Sequence, residues 1–299
     1  MLALTGLLAV AAVVPMAAEG KKKKAAKTVT ASGPLSAGGT QTATANCPKK
    51  THLTGGGYSV APSFAPNSGS GLRSFTSVSH PAGNGWTASS TAFTAPSGSG
   101  TLTSFARCER NQLGKIREVN LRELDPPFLP GQGFKMNIFC EKFPAISGGY
   151  AGTGVADPSD PLTGRRIVVV HSQRTGPDRW TVGSYNPRPA ESSASVTGYV
   201  VCEKPKPPKR KVSEVSSSAP IAAKARTVAE ATCGKKKHVV SGGFLVVGTT
   251  PSSPVPSVGI DESMPVGKRT WHVGLYASPT DDTPPGSSLT TFAYCKKNK

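Results

Sequence analysis

Alternation of apolar and polar positions is clearest in three stretches that each end in a cysteine: Thr101 to Cys108, Ser195 to Cys202 and Ser288 to Cys295. In the first, Leu102, Ala106 and Cys108 share one face of an extended chain; Val196, Val200 and Cys202 do so in the second, and Leu289, Ala293 and Cys295 in the third. A period of two marks a strand with one buried face. An aromatic residue stands three places before each cysteine (Phe105, Tyr199, Phe292), on the opposite face, placed to cap a turn or to meet a neighbouring copy. A basic residue stands two places after it (Arg110, Lys204, Lys297). A second recurring run carries tryptophan: Trp86-Thr87-Ala88, Trp180-Thr181-Val182 and Trp271-His272-Val273. Runs of Thr, Val, Ser and aromatics broken at short intervals by Gly, Pro or Asn predict short strands, and no long stretch has helical periodicity.

These runs belong to three copies of one unit. Cys47, Cys140 and Cys233 open the copies at a constant spacing of 93, and Cys108, Cys202 and Cys295 close them. Pro34, Pro127 and Pro220 each lie 13 residues before an opening cysteine. After it comes a turn and then a Gly-Gly-aromatic triplet: Gly56-Gly57-Tyr58, Gly148-Gly149-Tyr150 and Gly242-Gly243-Phe244. Paired glycines in an extended segment predict a bulge or a close backbone approach. The period is too long for a solenoid unit and suits a small domain. The expected fold is therefore all-β: three tandem small disulfide-closed β-sandwich modules, jelly-roll-like or Ig-like. The tryptophans follow their opening cysteines by 39, 40 and 38 residues, later than in an immunoglobulin domain, which favours the jelly-roll-like order. The expected boundaries are a signal peptide or apolar leader at 1–18, a Lys-rich linker at 19–26, modules at 27–110 and 115–204, a Pro/Lys linker at 205–211, and a third module at 212–297. That second linker should be semi-rigid and extended, leaving modules two and three without a large shared interface.

Six cysteines admit fifteen pairings. If each module folds as a unit, the bonds are Cys47–Cys108, Cys140–Cys202 and Cys233–Cys295. Each such loop contributes roughly 4 kcal/mol in the chain-entropy model. No Cys-x-x-Cys and no zinc-type Cys/His spacing is present, so an oxidising compartment is expected. Leu2 to Val14 is apolar and small residues Ala17 and Ala18 follow, as in a secretory signal peptide. Lys21 to Lys24 come just after it and no basic residue precedes it, which leaves a retained anchor as the alternative; the apolar run is shorter than the ~20 residues of a membrane span.

Net charge is +18 and is uneven. Residues 1–111 carry +8, residues 112–204 carry +2 and residues 205–299 carry +8. The clusters are Lys21 to Lys24, the linker from Lys204 to Lys211, Lys235 to Lys237, and the tail Lys296, Lys297 and Lys299. They read as solvated linkers and tails that maintain solubility, or as adhesion to an anionic cell-wall polymer or polysaccharide. Aromatics are not set among them, so specific nucleic-acid recognition is not expected.

No catalytic constellation is legible. There is no Gly-x-Ser-x-Gly elbow, phosphate-binding glycine loop or His-Glu-x-x-His. Of the five histidines, His52 and His238 are equivalent, each five after its opening cysteine, with Ala145 in the middle copy; they read as solvated turn residues, not ligands. Asp157-Pro158-Ser159-Asp160 and Asp281-Asp282 lie in turn-rich sequence where Asp is ordinary. No catalytic, cofactor or metal residue is assigned.

The exported portion resembles a repeat found in secreted proteins of actinobacteria, with the order Cys, Gly-Gly-aromatic, Gly-Trp and an alternating strand ending in Cys. Copies two and three depart from it at Arg179 and Thr270, where copy one has Gly85. The resemblance implies secretion and supplies no activity. The expected protein is a secreted, non-enzymatic, monomeric repeat protein of the envelope or extracellular space, structural, adhesive or ligand-binding, without a membrane span after leader removal. A secreted carbohydrate-active enzyme or hydrolase, with a site formed by loops between modules, is the alternative.

Overall fold

A computed structural model describes residues 26–64, 73–93, 98–110, 116–123, 133–141, 143–152, 168–185, 195–203, 212–248, 258–277 and 286–297. The leader, Pro127, the Lys204 to Lys211 linker and the acidic pairs at 157–160 and 281–282 lie outside these residues.

The described residues are all-β and form three disulfide-closed modules, each with six strands among them. The first holds β1 (Lys27–Ser36), β2 (Thr40–Asn46), β3 (Thr51–Ala61), β4 (Ser74–Ala82), β5 (Gly85–Ala92) and β6 (Ser99–Arg110). The second holds β7 (Ile116–Glu123), β8 (Gly133–Phe139), β9 (Ala145–Gly152), β10 (Val168–Gly176), β11 (Arg179–Tyr185) and β12 (Val196–Glu203). The third holds β13 (Ser213–Pro220), β14 (Arg226–Thr232), β15 (Lys237–Val247), β16 (Gly259–Val266), β17 (Thr270–Tyr276) and β18 (Ser288–Lys297). The three bonds are Cys47–Cys108, Cys140–Cys202 and Cys233–Cys295, with Cα–Cα distances of 5.6, 5.6 and 5.8 Å. In each module a half-sheet of first, sixth and third strands packs on one of second, fifth and fourth, giving a sandwich with the tryptophan strand in the second layer.

The half-sheets do not end at module boundaries. The three sheets run β1-β6-β3-β16-β17-β14, β13-β18-β15-β10-β11-β8 and β2-β5-β4-β9-β12-β7. Every sheet therefore joins two modules, and the third module closes back on the first. Each seam is antiparallel and short: Glu262 and Ser263 pair with Ser59 and Tyr58, Val78 and Ser79 with Ala151 and Tyr150, and His171 and Ser172 with Leu245 and Phe244. The last pairing corrects the expectation from the Pro/Lys linker: modules two and three share a six-stranded sheet. A linker's composition describes the path between modules, whereas an unpaired strand edge seeks a partner wherever one lies.

The Gly-Gly-aromatic triplets explain how the seams fit. A Cβ on the first glycine would lie 2.2, 2.3 or 2.1 Å from Cγ of Trp86, Trp180 or Trp271, so each first glycine makes room for its own module's indole. A Cβ on the second would lie 1.8, 2.1 or 2.3 Å from the carbonyl oxygen of Ser263, Ser79 or Ser172 in the adjoining module. The same three serines accept the indole N–H: Trp86 Nε1 to Ser79 Oγ at 3.0 Å, Trp180 to Ser172 at 3.2 Å and Trp271 to Ser263 at 3.2 Å. All three indoles are buried, and these bonds satisfy their only polar atom. The triplet aromatics meet where β3, β9 and β15 converge: Tyr58 and Tyr150 hydroxyls hydrogen-bond at 3.1 Å, and Phe244 meets Tyr150 edge-on at 6.5 Å.

Candidate functional site

Hydrogen-bonded register sorts the connections into two ends. The turns between the second and third strands and between the fourth and fifth strands of every module lie at the disulfide end: 47–50, 83–84, 140–144, 177–178, 233–236 and 267–269. The longer connections after the third and fifth strands leave from the opposite rim, as Ala61 pairing with Thr101 and Ser74 with Ala92 illustrate.

This sorting gathers charge. Lys49, Lys50, Arg110, Lys235, Lys236, Lys268, Arg269 and Lys297 are exposed at the disulfide end, against exposed Glu141, Asp178 and Glu214 there. Lys27, also exposed, pairs with Cys108 at the same end. Basic residues spread in sequence from Lys27 to Lys297 thus converge on one pole.

Beneath that pole, the residue after each closing cysteine is charged and buried: Glu109, Glu203 and Lys296. Lys296 Nζ donates to Glu203 Oε2 at 2.6 Å, and His238 Nε2 meets Glu109 Oε1 at 2.7 Å across modules three and one. Burial raises the Glu203 carboxyl above its ordinary range despite Lys296, with Glu109 adding to the rise. Burial would raise Glu109 too, but the His238 hydrogen bond and the charges of Lys296, His238 and Arg107 hold it below. Arg107 is buried at the same junction and donates to the carbonyls of Val239 (2.9 Å) and Lys268 (3.3 Å) and to Thr28 Oγ1 (2.7 Å). His238 is thereby corrected from a solvated turn residue to a partner in an inter-module hydrogen bond, and His52 is half-buried on β3. Counting from the cysteine gives the position of a histidine but not the neighbour another module brings to it.

The carboxylate pair that the structure does assemble is Asp261 and Glu262, adjacent on β16. A register shift between Ile260 and Glu262 turns the buried Asp261 inward. Arg226 Nη2 donates to Glu262 Oε2 at 2.7 Å and Nε to Asp261 Oδ2 at 3.4 Å; His272 bridges Glu262 (2.7 Å) and Glu230 (2.9 Å), and Ser63 donates to Glu262 at 2.9 Å. Burial pushes the Asp261 carboxyl up to about 6 despite Arg226. Glu262, which burial alone would raise, is pulled down to about 2 by His272, Arg226 and Ser63. Hydrogen bonding to Glu262, opposed by burial, raises His272. Arg226 and His272 hold Glu262, Arg226 also reaches Asp261, and Ser63 joins this module-three cluster to module one, while Asp261 Oδ1 is buried without a hydrogen-bond partner. The Asp-Glu pair is visible in sequence, but its register beside Arg226 and His272 is not.

The other histidines serve packing. His80 lies flat on Tyr199 at 4.2 Å and donates Nδ1–H to the Pro81 carbonyl; burial lowers its pKa. That contact shows an aromatic three before a closing cysteine meeting a neighbouring module. His171 is buried with neither ring nitrogen hydrogen-bonded, and burial, aided by Lys135, pulls its pKa down to about 4. Among the described residues no group of three or more His, Cys, Asp or Glu could hold a metal ion, and no helix is long and apolar enough to cross a membrane. Three disulfides fit an oxidising, extracytoplasmic environment. Compared with known proteins, the chain matches no family model and no curated protein.

Proposed function

We propose that the protein is a secreted, non-enzymatic scaffold of the cell envelope or extracellular space that adheres, through its basic pole, to an anionic cell-wall polymer or polysaccharide. The observation that carries this reading is the convergence of Lys49, Lys50, Lys235, Lys236, Lys268 and their neighbours on one end of a three-module ring. Lysines on short, strand-anchored turns present closely spaced point charges to a polyanion at little ordering cost. The three disulfides support function outside the reducing cytosol. The hold of Arg226 and His272 on Glu262, with Arg226 also reaching Asp261, supports a non-enzymatic reading of this carboxylate pair.

The test is co-sedimentation of the oxidised protein with isolated cell walls and soluble acidic polysaccharides between about 0.05 and 0.5 M salt, across which screening shortens severalfold in range. Binding should fall steeply with salt and be lost in a Lys49→Glu, Lys235→Glu, Lys268→Glu variant that melts like the native chain. Salt-independent binding, or none at low salt, overturns the reading.

A further inference from the structure

We propose that a pocket at the junction of modules two and three binds a neutral saccharide, with its ring face on Phe292 and its hydroxyls on Gln173 and Glu214. This site is separate from the basic pole in chemistry and does not depend on it.

A shallow, open pocket of about 550 Å³ lies between the end of β10 and the strands β13 and β18, with Gln173, Arg174, Gly176, Val212, Glu214 and Phe292 among its walls. That volume lies within the range of small-ligand sites. It lies where the three seams differ in one residue. At each seam, the residue after the indole-accepting serine faces the second glycine of the neighbouring triplet: His80 at the first seam, Gln173 at the second and Met264 at the third, their Cα atoms 2.8, 3.1 and 3.3 Å from the Cβ those glycines lack. Beside each glycine in the next strand stands the aromatic three before the closing cysteine: Tyr199, Phe292 and Phe105 respectively. Where the residue is His80, its ring covers Tyr199. Where it is Gln173, the amide leaves Phe292 as a wall of the pocket.

The polar groups select the ligand. Gln173 Oε1 is buried without a hydrogen-bond partner, an arrangement that favours a donor arriving from outside. Arg174 directs three of its guanidinium N–H groups to the carbonyls of Gly176 (2.9 Å), Val212 (3.5 Å) and Pro177 (3.4 Å). Its backbone N–H donates to Tyr294 Oη at 2.7 Å. Arg174 thus builds the wall, and its charge is opposed by Glu214. Glu214 supplies a second acceptor, which burial raises and Arg174 lowers, with burial the stronger. Two acceptors, an aromatic face and a cation already opposed by Glu214 suit a ring bearing several hydroxyl donors and an apolar C–H face better than a carboxylate or phosphate.

Saturation-transfer NMR and calorimetry with neutral hexose oligosaccharides, and with uronic-acid oligosaccharides for comparison, are run on the oxidised full chain at about 0.5 M salt, where the pole is screened. Neutral oligosaccharides should bind and uronates should not. Gln173→His, which places at this seam the ring already accommodated on Tyr199, should abolish binding while leaving the melting temperature near native. Phe292→Ala should weaken binding about tenfold or more. Failure of the native chain to bind any neutral oligosaccharide at about 10 mM, or binding unchanged in Gln173→His and Glu214→Gln, overturns the proposal; neither outcome bears on salt-sensitive adhesion by the pole.

Discussion

Gly149→Ala isolates the contribution of a seam. The added methyl would lie 2.1 Å from the Ser79 carbonyl oxygen and 2.8 Å from His80 Cα, both backbone atoms of module one. Real Cβ contacts do not fall below 3.0 Å, so β4 and β9 must separate by about 1 Å, enough to weaken the hydrogen bonds of a seam whose register is only Val78 with Ala151 and Ser79 with Tyr150. Loss of one or two net bonds at about 1 kcal/mol each, with overpacking strain of about 1–3 kcal/mol, gives about 2–5 kcal/mol. For a cooperative unit of this size that corresponds to a fall in Tm of roughly 4–20 °C. The control is Gly234→Ala, where a Cβ meets nothing within 4 Å and the change should stay within about 0.5 kcal/mol. Differential scanning calorimetry of the oxidised chain reads both. If Gly149→Ala melts together with Gly234→Ala and the native protein, the seams are not the close backbone contacts described above.

Two further substitutions test the buried charges. Asp261 has a folded pKa near 6, above its ordinary value, so its contribution is most favourable below about pH 3.8 and is lost as pH rises to 6. Asp261→Asn should therefore stabilise the protein at pH 7 by up to about 3 kcal/mol and gain nothing near pH 4, whereas Glu262, held near 2, contributes above about pH 4.5 and loses that contribution as pH falls toward 2; urea titrations across pH 3–8 showing a pH-independent difference between Asp261→Asn and native would contradict this. Lys296→Met strands Glu203 in the interior and should cost about 3–5 kcal/mol, with Lys296→Met/Glu203→Leu recovering most of it; equal stability of the single and double variants at pH 7 would show that the pair is not coupled.

The all-β class, the modules and their disulfides were legible because they rest on local signals: period-two alternation ending at Cys108, Cys202 and Cys295, and a constant cysteine spacing. The paired glycines announced a close approach, and the approach is real, but the sequence does not say to what. Gly57, Gly149 and Gly243 touch strands about 200, 70 and 70 residues away. Such partners follow from which edges are left unpaired after each module forms, a property of the assembled sheets and not of any window of residues. The same gap hid the site chemistry. His238 is unremarkable until Glu109 reaches it, Asp261-Glu262 until Arg226 and His272 close on it, and Gln173 until compared by register with His80.

Closure of the third module onto the first fixes the copy number. An open array can lengthen by duplicating one unit, since each new edge simply becomes the next docking surface. Here β3 and β16 already occupy each other's free edges, so a fourth unit would have to break a seam to enter, and a two-unit remnant would present a bare strand at each end. Duplication could have built this chain up to three units, but it has no vacancy for another, and further diversification must proceed by changing residues within a ring of constant size.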